Sequence, residues 1–272
     1  MTRILTCGWE TGDPNEAGVI GGAWSCANTG PAPKAPSQYY LRCNTNGIYK
    51  TFNFVGNKTE LYIRLHIYFV SLGDSFLYLY DSAGSIQVYL NVAPSTRLLQ
   101  AIAATTLTGT IPCDVNIWHL IELHWKATTT TSSTDGTIRV WQDGTLVINS
   151  TAVDSTNASN LNVHSMSLYS YYQDNQFDDL AVNDTLGTIN NGQIGDGSVV
   201  LLLPNGPGSN TNQTRGGTDS GANWSQTDEL PPSMNDYVQS ATVGARDTYA
   251  VTDIPAGAWT VNAVEPLAWV QN

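Results

Sequence analysis

The stretch ELYIRLHIYFV, residues 60–70, sets the fold. Leu61, Ile63, Leu65, Ile67 and Phe69 fall on one face of a period-two pattern, while Tyr62, Arg64, His66 and Tyr68 fall on the other. Strict alternation of this kind marks a strand with one face in a core. IWHLIELHWKA (117–127) repeats the pattern, with Trp118, Leu120, Glu122 and His124 opposite His119, Ile121, Leu123 and Trp125. Both of its faces carry large side chains, so it belongs inside a sheet rather than at an edge.

Hairpins surround these two strands. TIRVWQDGTLVINS (137–150) places Asp143-Gly144 between two β-rich runs, the signature of a two-residue type I′ turn. SFLYLYD (75–81) and SIQVYLNVA (85–93) are joined by Ser82-Ala83-Gly84, and RLLQAIA (97–103), NVHSMSLYSY (162–171) and QFDDLAVND (176–184) add further strands. No apolar stripe of helical spacing runs for ten residues. Many short strands with Gly, Asn and Asp turns predict an all-β, two-sheet antiparallel sandwich over residues 1–185.

The composition changes after Asp184. Residues 186–198 read as a linker. VVLLLP (199–204) reads as a buried strand and 205–223 as an exposed mobile loop without core residues. Strand-like pieces return at 236–243, 247–254 and 260–271. That is few strands for an independent core, so 199–272 is expected to be a smaller β extension, either a docking arm or an incomplete domain. Leu201, Leu202, Leu203, Trp259, Leu267 and Trp269 are its candidate assembly contacts.

Charge narrows the partners. The 272 residues carry 11 Lys+Arg against 23 Asp+Glu, a net charge of −12. Direct binding to nucleic-acid phosphates is therefore not expected. The N-terminus has no apolar signal core and no stretch is long enough to span a membrane. Cysteines 7, 26, 43 and 113 form no CxxC pair. They read as buried or free thiols, with a Cys7–Cys26 or Cys26–Cys43 bridge as the alternative.

Ordered pieces of the chain resemble a family. GWETGD (8–13) is similar to the opening of laminin-G/concanavalin-A-like jelly-roll proteins of tailed bacteriophages. NIWHLIELHWKA followed by GTIRVWQDGTLVI is similar to their central hairpin, and FDDLAVND to their closing strand. In the tail, LLLPNGPG, ANWSQTDELPPSMNDYVQS and RDTYAVTDIP resemble the same proteins. The resemblance implies a concanavalin A-like jelly roll in a virion, made in the bacterial host cytoplasm. The chain would serve in many copies as a capsid decoration or tail-associated protein, held by contacts to other virion proteins. The alternative is a lectin-like tail protein that recognises a host surface glycan. It also implies strands beyond residue 272, which would complete the C-terminal unit.

Catalysis is not expected. Glycoside hydrolysis needs two carboxylates across one bond. Asp178 and Asp179 are consecutive, so simple alternation points them to opposite faces, one inward and one to solvent. Gly73-Asp74-Ser75 matches the opening of GDS-type esterases, but the Asp-x-x-His that must accompany it is absent, and a turn is the simpler reading. His119 and His124 are five apart on a strand and form no HExxH pair. No cofactor is required. In jelly rolls of this kind the first and last strands lie side by side. Glu10 and Asp13 could thus meet Asp178 or Asp179 around a structural calcium, or these carboxylates serve only as hydrogen-bond acceptors at the junction. For sugar binding, the candidates are Tyr169, Tyr171, Tyr172 and Asp174, because consecutive aromatics cannot all face one core.

Overall fold

The computed structural model describes residues 3–16, 24–28, 37–43, 48–157, 160–170, 175–233, 235–257, 260–264 and 266. The chain divides into two compact units. The first holds residues 1–9 and 14–199, and the second holds Glu10–Asp13 and residues 200–272.

The first unit is a two-sheet antiparallel jelly-roll sandwich. At the centre of its larger sheet lies β5 (Glu60–Tyr68), between β10 (Trp118–Lys126) and β14 (Gln176–Asp184). Beyond β10 come β11 (Gly136–Gln142) and β12 (Thr145–Val153). Beyond β14 come β3 (Tyr40–Cys43) and β2 (Trp24–Ala27), and β1 (Arg3–Cys7) also pairs with β14. The smaller sheet runs β4 (Ile48–Lys58), β13 (Val163–Ser170), β6 (Ser75–Tyr80), β7 (Ile86–Val92), β8 (Leu98–Ile102) and β9 (Thr106–Pro112). The chain crosses between sheets after β3, β4, β5, β9, β12 and β13, which closes one core between them.

Alternation decides which face is buried. β5 and β10 pair from Trp118↔Tyr68 to Lys126↔Glu60, so Ile63, Leu65, Ile121, Leu123 and Trp125 line the core together. Phe52, Leu77, Leu79, Val88, Leu90, Met166 and Leu168 of the smaller sheet meet them. Burying a side chain of this size is worth roughly 1.5–3 kcal/mol. The fully buried Trp125 also donates from Nε1 to the Ser155 carbonyl at 2.7 Å.

The expected turns form. Asp143 (φ 51°) and Gly144 (φ 79°) both take left-handed backbone between β11 and β12, as a type I′ hairpin requires. In the β6–β7 turn, Asp81 Oδ1 accepts from the amides of Ala83 (2.9 Å) and Ser85 (2.8 Å). The four cysteines are free thiols, three of them buried, and neither bridge forms.

The second unit departs from expectation. VVLLLP is no strand: residues 199–203 are irregular and half-buried. A strand, β15 (Pro204–Thr211), instead runs through the stretch expected to be a mobile loop, and it pairs with β18 (Asp247–Val251). Ladder bonds use backbone groups, so apolar side chains are not required. The backbones approach so closely that a Cβ at Gly208 would lie 2.5 Å from the Thr248 carbonyl oxygen. β16 (Thr214–Gly217) pairs with β17 (Asp236–Gln239), next to a short 3-10 turn at Asn223–Gln226. Residues 260–264 form no strand and are exposed. Among the described residues of this unit, no apolar side chain is fully buried. No helix among the described residues is long and apolar enough to cross a membrane.

Candidate functional site

The outward face of β5 and β10 is where chemistry-bearing residues gather. Arg64 pairs across the ladder with Glu122, and His66 with Leu120 on one side and Asp178 on the other. Cross-strand partners share a face, so Arg64, His66, Glu122 and Asp178 all project away from the core.

Asp179 joins them through a β-bulge. Between Asp178 and Ala181 the ladder of β14 slips against β5, and Asp179 takes φ 52°. The extra residue cancels the alternation that would have turned Asp179 away from Asp178. The Asp179 carboxylate lies 3.3 Å from His66 Nδ1, and its carbonyl accepts from Arg64 Nη2 at 2.9 Å. Both aspartates are fully buried, so neither meets solvent as the sequence had suggested. Burial lowers the Arg64 pKa from its ordinary value, against the opposing pull of Asp179, Asp196, Glu122 and Asp178.

The stretch that read as a linker is anchored to this face. Glu122 Oε1 accepts from the amides of Ile194 (3.2 Å) and Gly195 (2.7 Å), and its Oε2 accepts from Gln193 Nε2 (2.9 Å). Asp179 Oδ1 accepts from the Val199 amide at 2.5 Å. Gly197 passes so close to Arg64 that a Cβ there would lie 2.8 Å from Nη1. Residues 193–199 thus form a strap held by two buried carboxylates.

Strap and sheet enclose a cleft of about 390 Å³, lined by His66, Trp118, Leu120, Glu122, Asp143 and the strap residues Gln193, Gly195 and Asp196, with Gly144 at the hairpin. Trp118 is half-buried and packs edge-on against Tyr40 (5.9 Å) and Tyr68 (5.6 Å), which leaves part of its ring toward the cleft. Asp143 is fixed by its own hairpin turn. Its Oδ1 accepts from the Leu120 amide at 2.9 Å and its Oδ2 lies 2.7 Å from His119 Nδ1. Burial pushes the His119 pKa down, but the Asp143 hydrogen bond and charge outweigh it and leave the pKa raised. Asp143 moves the other way: burial pushes its pKa up, and His119 with the Leu120 amide brings it below the ordinary value. Nearby, His124 stacks on Tyr62 (4.1 Å, 8°) and lies 2.7 Å from Glu60; burial outweighs that contact and lowers its pKa.

The residues singled out from the sequence meet different outcomes. Asp178 and Asp179 stand at the rear of the cleft's polar face. Glu10 and Asp13 fall in the second unit. Among the described residues, no group of three or more His, Cys, Asp or Glu is placed to hold a metal ion. Tyr171, Tyr172 and Asp174 lie outside the described residues, as do Trp259, Leu267 and Trp269. Leu201, Leu202 and Leu203 are half-buried, and the Leu203 amide donates to Thr252 Oγ1 at 3.1 Å. Tyr169 belongs to a tyrosine array on the smaller sheet, 4.4 Å from Tyr49 and 5.6 Å from Tyr78, with Tyr80 and Tyr89 stacked alongside Tyr78.

The sequence reading missed Trp118, His66, Glu122, Asp143 and Asp196 as one group. The signal was present, since Trp118 and Glu122 share one strand face with His66 on the neighbouring strand. The strap that closes the cleft carries no pattern of its own.

No protein-family model and no curated protein matches the chain. Solved structures similar to it include the cellulose-induced protein Cip1, at 17% identity and TM-score 0.48, covering 68% of this chain and 99% of that one. They also include domain 4 of AbnA, a GH43 extracellular arabinanase from Geobacillus stearothermophilus, in complex with arabinotriose, at 12% identity and TM-score 0.44, covering 67% of this chain and 92% of that one. The alginate lyase vAL-1 from Chlorella virus is similar at 12% identity and TM-score 0.42, covering 67% and 99%.

Proposed function

We propose that this chain is a carbohydrate-binding sandwich protein that holds a glycan in the cleft at Trp118 and performs no chemistry on it. The observation that carries this reading is the pairing of a partly open indole with fixed polar groups at one cleft. A sugar offers an apolar ring face for stacking and hydroxyls for hydrogen bonds, and sites of this kind combine an apolar surface with a few placed polar groups. Asp143 and Glu122 already accept hydrogen bonds on both oxygens. At Asp143 these bonds hold the carboxyl below its ordinary pKa, which suits a hydroxyl acceptor and opposes a general-acid role there.

The setting we propose is the tail of a bacteriophage, where the protein recognises a host surface glycan. This part rests on the ordered resemblance from GWETGD to RDTYAVTDIP. A glycan array followed by calorimetry tests the binding. Specific saturable binding is expected for the intact chain and its loss for Trp118→Ala, with circular dichroism reporting the fold. Binding that survives Trp118→Ala would remove the cleft from the account.

A second reading, attachment to other virion proteins as a decoration or tail component, is favoured by the second unit. Its described residues bury no apolar side chain, and isolated two-stranded sheets are marginal in water. Deleting 200–272 is expected to leave a folded sandwich that no longer assembles onto particles. Full occupancy of particles by the truncated chain would overturn this reading.

A further inference from the structure

We infer that the cleft selects sugars bearing a protonated amine over neutral and acidic sugars. The inference rests on the glycan reading above and names the class of glycan.

Charge is the first observation. Five carboxylates, Glu122, Asp143, Asp178, Asp179 and Asp196, stand at the cleft or directly behind it, against Arg64, His66 and His119. The group stays negative even with both histidines protonated. The two carboxylates most open to a ligand are Asp143 and Asp196, with side chains 48% and 71% exposed. They belong to the hairpin turn and to the strap respectively, and both line the cleft with Trp118. A carboxylate sugar entering there would meet like charges.

The second observation is His66. It is only 3% exposed yet lines the cleft, and its Nδ1 makes no hydrogen bond. Its Nε2 touches Asp196 at 3.4 Å, a contact longer than a good hydrogen bond, so the imidazole and the strap carboxylate meet at the cleft wall.

The third observation separates a sugar amine from a metal. Among the described residues, no three His, Cys, Asp or Glu converge on one point. The negative charge is spread along the cleft, which suits ammonium groups repeated along an oligosaccharide. Trp118 adds a ring face on which a cation is favourable.

Calorimetry on the full chain tests this with three probes: a β-1,4-glucosamine hexamer, its fully N-acetylated counterpart and an oligogalacturonate. At roughly 0.05 M salt the free-amine hexamer is expected to bind about tenfold tighter than the N-acetylated one, and the gap to shrink at about 0.5 M as screening grows. The oligogalacturonate should bind weakest. Asp196→Asn should reduce the amine-to-acetyl ratio by about threefold to fivefold. Because that side chain is largely exposed, the variant should fold normally, and its melting midpoint checks this.

If the N-acetylated or acidic oligomer binds as tightly as the amine, and Trp118→Ala abolishes that binding, the inference falls while the glycan reading stands. If no oligosaccharide of any class binds, both fall. If the amine oligomer still binds to Trp118→Ala and hexalysine competes equally, diffuse charge accounts for the binding and the inference is overturned.

Discussion

Glu122 Oε1 accepts a hydrogen bond from the Gly195 amide at 2.7 Å, across 73 positions of sequence. Through this contact the chain after the last strand of the sandwich is fastened back onto the sheet it has just left. The cleft owes its second wall to that fastening.

Glu122→Ala is therefore expected to free the strap. Three donors would lose their acceptor, at a cost of about 1–3 kcal/mol. Hydrogen exchange should speed at Ile194 and Gly195 before it speeds in β5, and protease should cut near 193–199. Unchanged exchange at these amides would show that the strap is held by other contacts.

Asp179 combines a bulge conformation with an anchor for Val199. Asp and Asn tolerate left-handed backbone better than other side chains, and Asp179 has φ 52°. Asp179→Asn should keep the bulge and an acceptor for Val199, losing only the charge that faces Arg64 and His66. Asp179→Ala should lose both backbone tolerance and the Val199 bond, and destabilise by about 1–3 kcal/mol more. Urea denaturation of the two variants reads the difference, and equal midpoints would contradict this account.

The His119–Asp143 pair should make stability depend on pH at both ends. The folded His119 pKa is raised, so its contribution is complete below the unfolded value of about 6.5 and is lost as pH rises through the folded one. The folded Asp143 pKa is depressed, so its contribution is present above about 3.9 and is lost as pH falls through the folded value. Stability from this pair should thus be greatest between those limits. Asp143→Asn is expected to flatten both limbs and to lower the His119 pKa, as read by NMR titration.

Trp125 is a core test. It is fully buried and bonded to the Ser155 carbonyl. Trp125→Ala should cost about 3–5 kcal/mol through cavity formation. Trp125→Phe should cost less, retaining most packing while leaving that carbonyl without its indole donor. Thermal and denaturant unfolding check both.

How much was legible follows from how local each signal is. The alternation in 60–70 and 117–127 and the Asp143-Gly144 turn are properties of a few neighbouring residues, and they appear in the structure where the sequence put them. β9, with burial confined to Leu107 and Gly109, and β15, written in Pro, Gly, Ser and Asn, gave no such signal. Their ladders come from partners elsewhere in the chain.

The sequence by itself determined an all-β sandwich, because side-chain alternation must match a pleat of period two. Only the tertiary structure decided the site. A single-residue bulge turned Asp179 to the side of Asp178, and hydrogen bonds from Glu122 and Asp179 drew 193–199 over the sheet. Both depend on where a ladder slips and which distant backbone amides find a carboxylate. No periodic pattern in the chain encodes either.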